Sequence, residues 1–181
     1  MSDLDSCSVE HVFGLPTPFY VRKLARKSHW AIDAADDERI ASVVSNVFSE
    51  VDADDNWNDL SFYVVNQDSD LHKIAIGLNS NRSSLREQLD LVAFTADELE
   101  ACDLVPVSTP GQTACGCTNR LHVDIRVTTE TISNLCRAAF SNSRQSGRLK
   151  KNPMQAIIDS LTTTNCDAIV GPDPTCAFQT V

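Results

Sequence analysis

The sequence predicts a single α+β domain, a mainly antiparallel sheet of about five strands with amphipathic helices covering one face. Three observations predict it. Short segments rich in apolar and β-branched residues lie close together, at Leu60–Val65, His72–Leu78 and Leu89–Phe94, and such runs between polar turns read as paired strands. Apolar residues recur at helical spacing in Ile40–Val51 and in Ile132–Phe140, each stripe fitting a helix that buries one side. Neighbouring strands followed by helices, without strict alternation of the two, favour α+β over α/β. With 181 residues, 42% hydrophobic and 22% charged, the chain suits one domain over 1–181 that buries its core without staples.

Residues 1–17 are expected to form an extended N-terminal arm, because Gly14 and Pro16 discourage regular structure. Thr17 and Pro18 then suit a helix cap and first position, predicting a short basic helix to about Ser28 with Tyr20, Leu24 and Ala25 on its less polar side. Asp33 or Asp36 caps a second helix whose stripe is Ile40, Val43, Val44, Val47, Phe48 and Val51. After the polar stretch Asp52–Asp59, the runs at 60–65 and 72–78 read as a hairpin, and Leu89–Phe94 as a third strand. Thr95 with Glu98 matches the hydroxyl-then-acid pattern that closes the first turn of a helix. Leu104–Val107 is a brief strand that Pro106 confines to an edge, since proline has no N–H for a second neighbour.

Ser108–Asn119 carries no apolar pattern and is expected to be a loop, of a length that is often functional in a compact domain. Leu121, Val123, Ile125 and Val127 alternate with His122, Asp124 and Arg126, which gives a strand with one ionisable face. Thr128 or Thr129 can cap the next helix, in which Ile132, Leu135, Cys136, Ala139 and Phe140 are the buried stripe. Ser141–Lys151 is polar and basic and reads as an exposed connection; Asn152 and Pro153 start a last helix with Met154, Ile157, Ile158 and Leu161 inward, and Ala168–Val170 suits a final strand. Val44, Phe48, Ile125, Leu135 and Ile158 are therefore expected in the core.

The net charge of −10 argues against direct nucleic-acid or membrane-surface binding, and no apolar run reaches membrane-spanning length. Met1-Ser2-Asp3-Leu4-Asp5 has neither the basic start nor the apolar run of a signal peptide. Together with an odd total of seven cysteines, this leads to an expectation of reduced thiols in a cytoplasmic protein. Two basic clusters interrupt the acidity: Arg22, Lys23, Arg26 and Lys27, and Arg144, Arg148, Lys150 and Lys151. Acidic neighbours in sequence can balance the first. The second, on its exposed connection, is the expected contact for an acidic protein partner or a small anionic ligand.

Cys115, Cys117 and His122 are the densest group of soft ligands and could hold zinc, although one intervening glycine is fewer than the usual two to four residues between paired thiolates. Cys117, His122 and Asp124 are also the residue types of a thiol nucleophile, its base and an orienting carboxylate, although His122 and Asp124 share one strand face. Asp52, Asp54, Asn56 and Asn58 imitate the start of a calcium loop, but Trp57 and Tyr63 stand where that loop needs glycine and a bidentate glutamate. The leading expectation is thus a cytoplasmic, non-enzymatic interaction module, regulatory or adaptor in kind and without a cofactor. An enzyme or accessory subunit with a Cys/His site is the second reading. An acidic, nucleic-acid-mimicking inhibitor of a basic protein is the third.

Overall fold

A computed structural model of the chain describes residues 12–23, 38, 40–42, 57–80, 89–109, 111, 113, 115–141, 147–149 and 156–157. Among them the elements run β1 (Phe19–Lys23), β2 (Asn58–Val65), α1 (Asp68–Ser80), β3 (Leu89–Thr95), α2 (Ala96–Glu100), β4 (Pro106–Ser108), α3 (Gly116–Asn119), β5 (His122–Val127), α4 (Thr129–Ser141) and β6 (Gly147–Leu149). The six strands form one sheet in the order β4–β5–β2–β1–β3–β6, and every neighbouring pair is antiparallel. The α+β class follows, with six strands where about five are expected.

Period-two alternation divides the central strands between two apolar clusters, one on each face. Phe19, Val21, Tyr63, Val65, Leu91 and Ala93 pack on one side with Leu71, Ile74 and Ala75 of α1. Leu60, Phe62, Val92, Phe94 and Ile125 pack on the other with Leu99 after α2's start and Ile132, Leu135 and Cys136 of α4. Helices therefore cover both faces, correcting the expectation of one. Ile125 and Leu135 are fully buried, as expected of them. The end of the N-terminal stretch also contributes: Val12, Phe13 and Leu15 pack against the first cluster, with the Phe13 and Phe19 rings 5.3 Å apart.

Two segments expected as regular elements change type. Residues 19–23, expected in a basic helix, form β1 at the middle of the sheet. Phe19 and Val21 are wholly buried, while Arg22 reaches across to donate to the Ser61 carbonyl at 2.9 Å and Lys23 to the Leu78 carbonyl at 3.4 Å. Residues 72–78, expected as a strand, lie in α1. Ile74, Ile76 and Leu78 do alternate, but Leu71, Ile74, Ala75 and Leu78 are also spaced for one helix stripe. Asp68 and Asp70 stand at its first turn, the positive end of the dipole, and Asp70 accepts from Asn66 N at 3.2 Å and pairs with Lys73 at 3.0 Å.

The two cap readings hold. Thr95 accepts from Glu98 N at 3.3 Å and Glu98 accepts from Thr95 N at 2.9 Å, closing α2's capping box. At α4, Thr128 accepts from Thr131 N at 3.2 Å and Thr131 returns the contact from Thr128 N at 2.8 Å, so a threonine does the work of the usual acid. β4 is an edge strand, as Pro106 requires. Residues 147–149, expected in an exposed connection, instead form β6 on β3, with Arg148 opposite Asp90. A local reading cannot see that pairing, because only β3 supplies the hydrogen bonds.

Glu38 and residues 40–42 are helical with Ile40 buried, and residues 156 and 157 are helical with Ile157 buried. Val44, Phe48 and Ile158, the stretch Asp52–Asn56, the strand at Ala168–Val170 and the basic residues Arg26, Lys27, Arg144, Lys150 and Lys151 lie outside the described residues. No helix among the described residues is long and apolar enough to cross a membrane.

α1 and α3 approach each other closely. A Cβ built on Gly77 would lie 2.5 Å from the Thr118 Cβ, and the Thr118 hydroxyl donates to the Lys73 carbonyl at 2.6 Å. Alanine normally improves a helix interior by about 1 kcal/mol over glycine. Here Gly77→Ala should do the opposite and lower stability by about 1–3 kcal/mol, the range for forced overpacking. Urea denaturation measures it; an unchanged or raised midpoint would show that the two helices do not meet there.

Candidate functional site

β5 positions the polar residues singled out from sequence. Val123, Ile125 and Val127 face the second cluster, so His122, Asp124 and Arg126 must share the opposite face, opposite Tyr63, Ser61 and Asp59 of β2. β4 adds Val107 opposite Asp124. His122 is buried, with its ring meeting Tyr63 edge-on at 5.3 Å. Further along, Arg126 grips Asp59 with two bonds of 3.0 and 3.1 Å and lies 3.8 Å over the Trp57 ring.

Thr109, immediately after β4, joins His122 to Asp124. Its Oγ1 lies 2.8 Å from Asp124 Oδ2 and 2.9 Å from His122 Nδ1. An ionised carboxylate only accepts, so the hydroxyl proton points to Asp124 and Thr109 Oγ1 accepts from Nδ1–H. The ring's other nitrogen, Nε2, lies 3.8 Å from Asp124 Oδ1. This is not the geometry of an activated nucleophile: the histidine donates to the hydroxyl and does not take its proton. The network instead fastens the segment after β4 to β5.

The same segment is tied down further along. Thr113 donates through N and Oγ1 to Asn119 Oδ1, both at 2.8 Å, and Asn119 Nδ2 donates back to the Thr113 carbonyl at 2.9 Å. Gly111 N donates to the Asn119 carbonyl at 3.1 Å. A Cβ on Gly111 would come within 2.9 Å of the Asn119 Cα and 3.0 Å of the His122 Cβ, so only glycine fits. The expected loop is thus an ordered connection that contains α3.

The proposed zinc set is not assembled. Cys115 and Cys117 belong to the apolar cluster under α1, whereas the described nitrogen contacts of His122 are to Thr109 and Asp124. Among the described residues no three His, Cys, Asp or Glu side chains converge as metal ligands. Cys115 is moreover disulfide-bonded, which takes its sulfur out of a thiolate set and corrects the expectation of wholly reduced cysteines; the cytoplasmic placement loses that argument. Cys102, Cys117 and Cys136 are buried and outside disulfides. Of the three catalytic candidates, His122 and Asp124 meet through Thr109, and Cys117 lies in the core at 3% exposure.

A second feature lies where α2 crosses to β4, and sequence reasoning did not find it. A cleft of about 360 Å³ is walled by Tyr20, Leu104, Val105 and Pro106 and rimmed by Glu100 and Asp103. Val105 is 72% and Val107 57% exposed, the highest among the large apolar residues described. The bend is set by Asp103 N donating to the Glu100 carbonyl and Leu104 N to the Leu99 carbonyl, both at 2.9 Å. That is the helix ending in which one residue turns left-handed. Asp103 does so, at φ 56°, in a position that glycine or asparagine normally takes. The edge assignment from Pro106 was the one signal in the sequence that pointed here.

Comparison with protein-family models, with curated proteins and with solved structures found no match for this chain. Fold and site geometry alone therefore carry the functional argument.

The Thr109 network predicts a structural penalty. Thr109→Val should cost about 1–3 kcal/mol, the range for leaving buried polar groups unsatisfied, while Arg126→Ala at its exposed surface pair should change little. Equal effects in denaturant would remove the assigned role from Thr109.

Titration of the core gives a further expectation. Burial pushes the Cys136 thiol up to about 12, with Arg137 opposing and Cys102 adding. Burial also raises Cys102, assisted by Glu98 and Asp103. It raises Tyr63 as well, with Arg22 opposing and Asp124 adding. In each case the fold favours the neutral form, so the folded pKa lies above the unfolded one. The stabilisation is complete below the ordinary thiol value of 9.0 and is lost as pH rises from there through about 12. Urea midpoints should be governed by other groups below pH 9 and fall above it; a midpoint unchanged from pH 9 to 11 would contradict the assigned burial.

Proposed function

We propose that the protein is a non-enzymatic interaction module, regulatory or adaptor in kind, and that it meets a protein partner along the crossover from α2 into β4. The exposure of Val105, just before edge strand β4, and of Val107 within it carries this reading. Each Å² of apolar surface left in water forgoes about 25 cal/mol of stabilisation, and edge strands are commonly protected by charge. Here Val105 lines a ready-made cleft and Val107 stands exposed just past Pro106, an arrangement expected of a surface that another molecule covers.

The Cys/His enzyme reading draws no comparable support, since Cys117 is buried in the first cluster and the described nitrogen contacts of His122 are to Thr109 and Asp124, not to that thiol. Of the basic group first expected to meet an acidic partner, only Arg148 is described, and it lies in β6 at the other edge of the sheet. The reading therefore moves the contact to the acidic and apolar surface beside β4.

Replacing both Val105 and Val107 with aspartate should leave the thermal midpoint near that of the unaltered protein, because neither side chain is in the core. A photo-crosslinking residue at position 107 should yield a discrete adduct in the native host, and Val105→Asp should abolish it. An adduct that survives that change, or a large fall in stability, would sink the reading.

A further inference from the structure

The cleft has two unlike parts, and together they specify what enters it. Tyr20, Val105 and Pro106 provide an apolar wall, and the exposed Glu100 and Asp103 stand at the rim. Among the described residues neither carboxylate is in an ion pair. Asp97 adds a third exposed carboxylate on α2, and residues 96–103 contain no basic side chain. Burial raises the nearby Cys102 thiol, and Glu98 and then Asp103 add to that rise.

Resting on the interaction surface proposed above, we infer that this cleft receives a lysine or arginine side chain from an extended segment of the partner protein. The aliphatic stem lies against Tyr20, Val105 and Pro106, and the charged end sits between Glu100 and Asp103. Long basic side chains combine an apolar stem with a cationic head, which is the order in which the wall and the rim present themselves. The Tyr20 ring also offers a cation-attracting face.

Other occupants fit less well. Calcium takes six to eight oxygen ligands, and two carboxylates beside an apolar wall do not supply them. A second copy of the chain would bring its own Glu100 and Asp103 to a two-fold contact, adding like charges to a molecule already at −10. Nucleic acid is repelled by the same carboxylates. A cationic side chain is attracted by all of them.

Asp103 makes the test clean. Its left-handed backbone suits asparagine at least as well as aspartate, so Asp103→Asn removes the charge without penalising the fold. The full chain is titrated with three capped, fluorescent pentapeptides in which valine alternates with lysine, with norleucine or with glutamate. The lysine peptide should bind at least tenfold tighter than the other two. Asp103→Asn should weaken it about threefold to fivefold, leaving the norleucine peptide unchanged and the thermal midpoint equal or higher. Raising salt from 0.05 to 0.5 M should erase most of the lysine preference, because exposed charges are screened.

Val105→Ser separates the inference from the reading beneath it. Equal binding of the lysine and norleucine peptides, both weakened by Val105→Ser, would overturn the cation site and leave the interaction surface standing. Lysine-peptide binding that ignores Val105→Ser would overturn the surface itself. No binding of the lysine peptide up to millimolar concentration would overturn the cation site, as would a self-associated protein in sedimentation velocity that Val105→Ser dissociates.

Discussion

Strands β2 and β3 bury side chains on both faces, while β1 between them buries Phe19 and Val21 on one and half-buries Tyr20 on the other, and the rest of the architecture answers to that constraint. Phe62 and Tyr63 are adjacent in sequence and both buried, yet they belong to different clusters, as do Val92 and Ala93. Water must be excluded from two sides at once. α1 and α3 do so on one face, and α2 with α4 on the other. The contact of Gly77 with Thr118 serves the same end, since α3 seats on α1 only where a backbone without a side chain lets it approach.

β5 meets a different requirement because only one of its faces is apolar. His122 is buried on the other face, and a buried imidazole needs partners for its polar atoms. Thr109 supplies the described one at Nδ1, and in doing so commits its own proton to Asp124. The result resembles a catalytic constellation in residue types, but here the hydroxyl donates to the carboxylate and accepts from the ring. Its effect is to hold β4 and the segment after it in place. The edge on which partner contact is proposed is thus rigid on its inner side and apolar on its outer side, which reduces the ordering cost of association.

The crossover from α2 to β4 departs from the local rules kept elsewhere. α2 starts with a complete capping box, but it ends on an aspartate in a left-handed conformation and passes directly into exposed valines. Glycine at position 103 would relieve the backbone, and polar residues at 105 and 107 would relieve the surface. Residual strain of this kind, of order 1 kcal/mol or more, tends to persist at working sites. A carboxylate at the mouth of an apolar cleft gives it a use: attraction of a cation combined with burial of its stem.

The sequence by itself determined the elements whose signals are local. The capping box at Thr95 and Glu98 needs only neighbouring residues, and so does the alternation from His122 to Val127; both stand as read, whereas Leu121, expected on the same face as Val123, precedes β5 and packs against the first cluster. Pro106 marked an edge without any knowledge of the sheet, because a missing N–H is a property of the residue. Ile74, Ile76 and Leu78 satisfy a period of two and also fall inside a helical stripe with Leu71 and Ala75, so packing against the first cluster had to choose α1. Residues 19–23 became a central strand only because β2 and β3 flank them, and residues 147–149 became a strand only beside β3. The candidate site divides in the same way. His122 and Asp124 share a face by alternation alone, whereas Thr109 reaches them because β4 pairs with β5. The cleft brings Tyr20 against residues 100–106 across three elements. Such contacts are made by the folded chain closing on itself, and hydrophobic burial on two faces of the sheet is the force that closes it.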